Sequence, residues 1–439
     1  MTAFPARGPA VRAAPRARPR VTLFHPAFGP VGGAEVLVLR HAMLLRELGC
    51  DVRLVTREYD AGTWQPWAAE HGVRVDCVPR DWLERKLYRS PRRWLLGSAR
   101  RLAPYFAGAA GVVAYNAPAP AILATRRPPG ARAVWHCNEP SRELHFAEAA
   151  RTAVARAGAG PYADETAPHA PAPFLPDVAW AAQKFETYRR RLAERWRFAL
   201  DRTLDVERVR RLDRIITLSE YSADSVRLVY GRAVDAVVPP VIPEPRARPR
   251  RAGIDRAGGG LHVLAHARLE PMKNVDGVLQ GFARFRARVP GAHVLHVVGT
   301  GAWLDRLRAR GDALGLGDAV RWHGYLDEAA LAAVYARCDA FALLPLDEPF
   351  GMVFPEAAFR GLLLIGPDHG GPAEILDGGA LGWTVDAFDS DALADALAAV
   401  WGLSDAEADR RRARAAAAVR ARYGAATVGP RLRAALLED

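Results

Sequence analysis

An alternation of short apolar runs and helical stretches, which starts near the N-terminus and restarts after residue 260, most constrains how this chain can fold. Residues 21–24 form an apolar run before a Gly- and Pro-rich turn. Residues 34–48 have a helical pattern that ends at Gly49, and residues 52–55 are strand-like again. A strand, a glycine turn, a helix and a second strand make the βαβ unit of a parallel sheet. The sequence therefore predicts an α/β protein.

Further strands are predicted in the same half at residues 111–115, 131–136 and 214–218. Between them, residues 155–176 are rich in Ala, Gly and Pro and are predicted to form a loop insertion, while residues 178–211 have the pattern of a long helix.

The second alternation predicts another doubly wound sheet. Its strand-like runs lie at residues 261–265, 293–298, 339–344 and 362–366, and its helical stretches lie at about 275–288, 302–314, 328–337, 353–361 and from 390 onward.

Composition suggests where the domains begin and end. Residues 1–20 are Ala-, Pro- and Arg-rich without periodicity and are predicted to be a disordered basic tail. A Pro-, Gly- and Arg-rich stretch at 241–260 is predicted to be an interdomain linker. The prediction is an N-terminal Rossmann-like domain over 21–240, a C-terminal one over 261–405, and terminal helices over 406–439 that cross back to the first domain.

Charge and cysteine content limit the classes of function. The net charge is +12, nearly all from arginine, but no zinc-finger, RNA-binding or basic-zipper signature occurs, so a nucleic-acid partner is not expected. The four cysteines lack a C-x-x-C spacing, and no apolar run is long enough to span a membrane. We expect a cytoplasmic protein.

One basic segment could contact a membrane. Residues 82–102 interleave Trp, Tyr and Leu with Arg and Lys, and Pro91 is expected to interrupt any helix there. Peripheral contact with the anionic inner membrane surface is one interpretation. A half-buried helix with solvated arginines is the other.

The turn after the first strand is the first candidate site. Gly32 and Gly33 stand before a predicted helix, whose free N–H groups and positive dipole end favour a phosphate. A tight turn without a ligand is the alternative.

Two further candidate sites follow strands of the second half. Arg268 and Lys273 lie after the first of these strands and can neutralise one diphosphate, although a solvated surface pair is the alternative. Lysine is rare here, since only Lys86, Lys184 and Lys273 occur, and this favours function for Lys273. Glu348 and Glu356 stand seven residues apart around the start of a predicted helix, where carboxylates can accept hydrogen bonds from sugar hydroxyls or merely favour the helix end.

Together these motifs resemble the retaining glycosyltransferases of family 4, which have the GT-B fold of two Rossmann-like domains facing a cleft. The matching elements are Gly-Gly-Ala-Glu at 32–35, the Arg268…Lys273 loop, Glu348-x7-Glu356, Gly299-Thr-Gly301 and the Gly-Gly-Pro-Ala-Glu segment at 370–374. Two positions depart from the family pattern. Asn274 stands where glycine is usual, so we expect a left-handed backbone there, which asparagine tolerates. Leu218 stands where asparagine is common before Ser219, which leaves a polar role for that segment in doubt.

The resemblance implies a role for each matching residue. Arg268 and Lys273 would hold the donor diphosphate, Glu356 the ribose and Glu348 the transferred sugar. Backbone around Phe350, Gly351, Met352, Gly299 and Gly301 would line the donor site, and Gly32 and Gly33 would admit the diphosphate or the acceptor. His136 resembles a histidine placed near the reacting sugar, although a lone histidine is commonly structural.

The implied reaction transfers a hexosyl group, with mannose from GDP-mannose preferred, to a glycan or lipid-linked acceptor with retention of configuration. The nucleoside diphosphate sugar would be a co-substrate; no other cofactor and no essential metal is expected, because no Asp-x-Asp element follows a strand in the expected place. A nucleotide-sugar epimerase and a non-catalytic nucleotide-sugar-binding protein remain alternatives.

Overall fold

The computed structural model describes residues 18–29, 32–87, 90–141, 145, 192–245, 254 and 259–438. The predicted tail, except for its last three residues, and the whole predicted loop insertion at 155–176 lie outside the described residues, as do the first part of the predicted long helix and most of the second half of the linker.

The first half of the chain forms a seven-stranded sheet in which all described pairings are parallel. The strand order is β3-β2-β1-β4-β5-β6-β7, so the chain changes direction of winding between β1 and β4. The strands are β1 (Arg20–Phe28), β2 (Asp51–Tyr59), β3 (Arg74–Cys77), β4 (Gly111–Ala114), β5 (Arg132–Cys137), β6 (Arg214–Thr217) and β7 (Ala236–Val237).

Helices cover both faces of this sheet, as parallel sheets require for burial. They are α1 (Gly33–Glu47), α2 (Ala61–Glu70), α3 (Trp82–Leu87), α4 (Pro91–Phe106), α5 (Ala119–Thr125), α6 (Leu192–Val209) and α7 (Glu220–Tyr230).

The second half forms a six-stranded parallel sheet of order β10-β9-β8-β11-β12-β13, with its change of winding between β8 and β11. Its strands are β8 (His262–His266), β9 (Val294–Val298), β10 (Val320–Gly324), β11 (Ala340–Ala342), β12 (Leu363–Pro367) and β13 (Trp383–Val385). Its helices are α8 (Val275–Arg288), α9 (Leu304–Ala313), α10 (Glu328–Arg337), α11 (Val353–Phe359), α12 (Gly370–Ile375), α13 (Ser390–Trp401) and α14 (Asp405–Tyr423).

A last helix, α15 (Ala425–Leu437), returns to the first sheet. It packs against α1, β4 and β5, where Leu432 and Leu436 are fully buried. The helix before it, α14, stays with the second sheet and packs against α11 and β12. Of the terminal helices predicted to cross back, only α15 therefore lies on the first domain.

The prediction of two doubly wound parallel sheets is confirmed, and most predicted strands and helices occur within two residues of their expected bounds. The expectation that Pro91 interrupts a helix is confirmed, because α3 ends at Leu87, Ser90 has an extended backbone and a new helix begins at Pro91. Pro91 is the first residue of α4, where a missing N–H costs nothing because that group would have no helical partner.

Candidate active site

The turn between β1 and α1 brings the first domain against the second. Helix α1 starts at Gly33, and Gly32 before it offers no capping side chain. The Glu35 carboxylate lies at this turn and accepts a hydrogen bond from its own amide in the first turn of the helix. A Cβ placed on Gly33 would lie 3.0 Å from Met352 Cε of the second domain. Gly32 faces its own turn, since a Cβ there would meet the Glu35 carboxylate at 2.6 Å. Gly33 thus lets the turn approach the loop before α11 closely, whereas Gly32 leaves room for the Glu35 side chain.

The loop after β8 carries both predicted cations, but the structure gives them different surroundings. Lys273 ends a short 3-10 helix and is ion-paired with Glu348. The Arg268 side chain is 70% exposed and pairs with Glu270 at 3.1 Å. Arg268 also faces the first domain, because its positive charge opposes the rise in the pKa of Glu35 that burial causes. Lys273 lies inside the cleft and Arg268 at its edge.

Asn274 connects this loop to α8 as the sequence predicted. Its backbone is left-handed, with φ 48° and ψ 42°, and its side chain accepts a hydrogen bond from the Gly277 amide at 3.2 Å. The same side chain donates to the Ala387 carbonyl at 2.9 Å. The end of the 3-10 helix that bears Lys273 is thereby anchored.

Gly299 and Gly301 lie in the loop after β9, which packs against this loop. The Leu269 amide donates to the Thr300 carbonyl at 2.9 Å, which draws the two loops together. A Cβ on Gly299 would overlap the Ala267 carbonyl oxygen, and one on Gly301 would overlap that of Leu269. Close packing of backbone on backbone accounts for both glycines, and their predicted contact with a donor stays a prediction.

The loop from Glu348 to Met352 is held by the following glycine motif. The Gly371 amide donates to the Glu348 carbonyl at 2.9 Å. Gly351 has a φ of 88°, a conformation that favours glycine, and the buried Phe350 ring packs edge-on against Tyr423 at 5.2 Å. Met352 precedes α11 without capping it through a side chain.

Glu356 lies one turn into α11 and pairs with Arg40 of the first domain at 3.2 Å. Arg40 also donates to the Val241 carbonyl at 3.3 Å and contacts Met352 Sδ at 3.7 Å. Sequence reasoning missed Arg40, since nothing local in α1 indicates a partner 316 positions away. Glu348 and Glu356 thus each have a cationic partner, Lys273 within the second domain and Arg40 in the first.

His136 departs from its predicted place near a reacting sugar. The side chain is fully buried, and its Nε2 lies 3.1 Å from the Val238 carbonyl oxygen. It packs against Tyr115 and His41, with ring centroids 5.5 and 4.9 Å away. Burial lowers the pKa of His136 to about 4, against the opposing effect of the Val238 carbonyl. A buried neutral ring cannot touch a sugar in this arrangement, so direct contact is not supported.

The segment at Ser219, whose polar role the sequence left in doubt, joins the two domains. Ser219 Oγ donates to the Pro349 carbonyl at 2.6 Å, and Tyr221 hydroxyl donates to Asp347 at 2.7 Å. Glu374 of the second domain accepts hydrogen bonds from the Glu220 and Tyr221 amides at 3.0 and 2.6 Å. A carboxylate of one domain thus caps α7 of the other.

Within the described part of the chain, no three His, Cys, Asp or Glu side chains cluster in a way that could hold a metal ion. None of the described helices is both long and apolar enough to cross a membrane.

Comparison with solved structures identifies the fold. The chain resembles the Anabaena protein Alr3699/HepE in complex with UDP-glucose, with a TM-score of 0.63 at 16% identity over 94% of this chain and 98% of that one. It also resembles sucrose-phosphate synthase of Thermosynechococcus elongatus, with a TM-score of 0.64 at 17% identity over 94% and 97% of the two chains. At such identities the likeness shows the fold alone, which is GT-B.

Curated relatives match part of the sequence. A GDP-mannose-dependent alpha-(1-6)-phosphatidylinositol monomannoside mannosyltransferase of Mycobacterium tuberculosis is 30% identical over 200 residues, which are 42% of this chain and 52% of the relative. Glycogen synthase of the same species is 33% identical over 218 residues, which are 47% and 50% of the two chains. The chain therefore spans about half the length of the curated relatives it matches.

Family profiles cover most of the chain. The profile described as Glycosyltransferase Family 4 matches residues 31–245, and the profile described as Glycosyl transferases group 1 matches residues 251–419. The first includes the Gly32-Gly33 turn and Arg40, and the second includes every candidate residue of the second domain. From these matches and the GT-B fold, the chain belongs to the family 4, group 1 glycosyltransferases.

Proposed function

We propose that the protein transfers a hexosyl group, with mannosyl preferred, from a nucleoside diphosphate sugar to a carbohydrate or lipid-linked acceptor with retention of configuration. The observation that carries this proposal is that Lys273 pairs with Glu348, while Glu356 pairs with Arg40 of α1 in the other domain. One cation, two carboxylates that can accept hydrogen bonds from hydroxyls, and the N-terminus of a helix in the facing domain fit the diphosphate, ribose and sugar of one donor.

The chemistry follows from where charge develops. As the bond between the anomeric carbon and the phosphate breaks, negative charge grows on the diphosphate and positive charge on the sugar ring. Lys273, Arg268 and the amides around Phe350, Gly351 and Met352 would stabilise the leaving diphosphate. Glu348 would hold the sugar, and Glu356 the ribose. Loss of one such preorganised group typically costs about 3–4 kcal/mol of barrier.

The preference for mannose is supported by the GDP-mannose-dependent relatives of Mycobacterium tuberculosis. Chemically, the proposal needs no divalent ion, because the cations beside the diphosphate are side chains of the protein.

A donor screen tests this function. Purified protein is mixed with GDP-mannose, UDP-glucose or UDP-N-acetylglucosamine, with and without EDTA, and release of nucleoside diphosphate is followed. We expect release from one donor, insensitive to EDTA and reduced at least 100-fold in Lys273→Ala and Glu356→Ala. Lys86→Ala, a lysine far along the chain from the site, is the matched control and should retain activity. Binding of a donor without any release would favour the nucleotide-sugar-binding alternative.

We also propose that the protein is cytoplasmic and contacts an anionic membrane surface peripherally. All four cysteines are free thiols, which suits a reducing compartment.

The membrane contact is proposed for α3 and α4. Most apolar residues of α4 are buried, so core packing explains most of that helix. Trp82 of α3, however, is 67% exposed, and Lys86 Nζ lies 4.9 Å above its ring. Leu96 is 46% exposed beside exposed Arg92, Arg93 and Arg100. Exposed apolar groups among cations suit an anionic interface.

Vesicle sedimentation tests the membrane contact. We expect binding to vesicles of phosphatidylglycerol and phosphatidylcholine, weak binding to phosphatidylcholine alone, and a loss of about 1 kcal/mol or more in Trp82→Ala and in Lys86→Gln. Tyr325→Ala removes an aromatic that is 80% exposed on the other domain and should leave binding unchanged. Equal binding by all variants would locate the contact elsewhere.

A further inference from the structure

Two asparagine side chains form a pair at the carboxyl edge of the first sheet. Asn116 lies two residues after β4 and Asn138 directly after β5, and Asn138 Nδ2 donates to Asn116 Oδ1 at 3.1 Å. The sequence contains only one other asparagine, Asn274, which has its own structural role. Two of three asparagines therefore meet at one point of the fold.

The pair lies where parallel sheets bind ligands. Such sheets bind ligands outside the carboxyl ends of their strands, at the point where the winding reverses. In the first sheet this point lies between β1 and β4, and Asn116 follows β4. Both asparagines are half-buried, so they are partly accessible and partly shielded from water.

The pair is also close to the loop that bears Glu348. The Asn138 carbonyl accepts a hydrogen bond from Ser222 Oγ at 2.6 Å, and Ser222 Oγ lies 3.1 Å from Ser219 Oγ. Ser219 in turn bonds to the carbonyl of Pro349, the residue after Glu348. A short chain of hydrogen bonds thus connects the pair with the residue proposed to hold the transferred sugar.

The buried His136 side chain interacts with Asn138. The Asn138 side chain raises the pKa of His136, as an amide oxygen near the ring would. Asn138 Oδ1 and His136 Nδ1 are both buried, and neither has a hydrogen-bond partner among the described residues. Residues two apart along a strand face the same side, so His136 lies beside Asn138 and acts as a positioning residue, while the Val238 carbonyl holds the other side of the ring.

With Asn138 turned toward His136 and Asn116, the Asn116 amide nitrogen has no acceptor among the described residues. The Asn116 amide nitrogen is therefore a neutral donor, and the amide oxygen of the same side chain is a neutral acceptor. Neutral amides match the hydroxyls of a sugar or polyol, whereas a phosphate or carboxylate would call for cations. We propose that Asn116, oriented by Asn138, binds a hydroxyl group of the acceptor and holds it beside the transferred sugar. This inference rests on the proposed function and extends it to the acceptor.

The test separates acceptor use from donor use. Wild type and variants receive radiolabelled donor and a pooled extract of glycans and glycolipids, and labelled product is quantified. We expect Asn116→Ala and Asn116→Asp to lower product formation at least tenfold, as loss of a hydrogen bond to a substrate hydroxyl predicts. The affinity of both Asn116 variants for nucleoside diphosphate, measured by calorimetry, should stay within twofold of the wild-type value. Gln65→Ala, which removes an exposed amide of the same domain, should retain full transfer.

His136→Phe tests the positioning role. It keeps the buried ring but removes its contact with Asn138, so we expect a raised KM for the acceptor with a smaller change in kcat. Product formation by Asn116→Ala equal to wild type would overturn the inference, as would a wild-type enzyme that hydrolyses donor but labels nothing in the pool. A wild type that releases no nucleoside diphosphate at all would instead refute the proposed function.

Discussion

Rare residue types mark special positions in this chain. Arginine supplies most of its positive charge, yet it is Lys273 that pairs with Glu348, where a compact ammonium fits beside the carboxylate. All three asparagines have defined structural roles, and Asn274 combines a left-handed backbone with a helix cap. At the residue scale, rarity singled out Lys273, whose functional role stays a prediction, whereas the rarity of Asn116 and Asn138 was overlooked.

Asn274 allows a matched pair of substitutions. Asn274→Ala loses the cap and forces an ordinary residue into the left-handed region, so we expect about 2 kcal/mol less free energy of unfolding. Asn274→Gly loses the cap but adopts this backbone freely, and should be destabilised by about 1 kcal/mol less. Urea unfolding measures both. An equal loss in the two variants would contradict a backbone contribution.

Other contacts join residues that are far apart in the sequence, and no local motif predicts them. Arg40 pairs with Glu356, and Glu374 with the start of α7, over 316 and about 154 positions. Spacing along the chain predicts what shares a strand end or a helix face, but not which surfaces meet after two domains dock. His136 shows the same limit, because a histidine after a strand can point into the cleft or into the core.

At the scale of elements, helix α7 is the clearest link between the domains. Its N-terminus receives Glu374 from the second domain, while Ser219 and Tyr221 bond to the loop before α11. Long periodic helices such as α8 and α10 were predicted with their observed bounds. The strands β3, β7, β10 and β13 were missed. The equally short β4, β6 and β11 were predicted because they belong to longer apolar runs, whereas polar residues interrupt β3, β10 and β13 and β7 has only two residues.

Glu374→Ala should loosen the start of α7. Two amide hydrogen bonds to a carboxylate are lost, so we expect hydrogen exchange at the Tyr221 amide to accelerate roughly tenfold to 100-fold. Glu374→Gln keeps one acceptor oxygen, so its exchange rate at the Tyr221 amide should lie between those of the wild type and Glu374→Ala. Glu244→Ala, which breaks an exposed ion pair with Arg420, serves as control. Unchanged exchange at Tyr221 would show that the domains do not meet this way in solution.

On the whole-molecule scale, buried uncharged histidines make stability depend on pH. Burial lowers the pKa of His25 and of His136 to about 4, and that of His296 to about 3. The unfolded chain binds these protons near pH 6.5 while the folded one does not, so stability is lost as the pH falls below that value.

We expect each such histidine to remove about 2 kcal/mol of unfolding free energy between pH 7.5 and pH 5. Urea denaturation across this range measures the loss, and His296→Gln should make it smaller. A midpoint independent of pH down to 5 would show that these side chains are hydrated or charged in the folded protein.

The return of α15 to the first sheet has a consequence for biosynthesis. Leu432 and Leu436 pack in a helix that covers β4 and β5, which lie more than 290 positions earlier in the chain. A ribosome must therefore finish the entire second domain before the first domain can close its hydrophobic interior. Until then the nascent first sheet carries an uncovered apolar strip, which makes it a natural client for chaperones during translation.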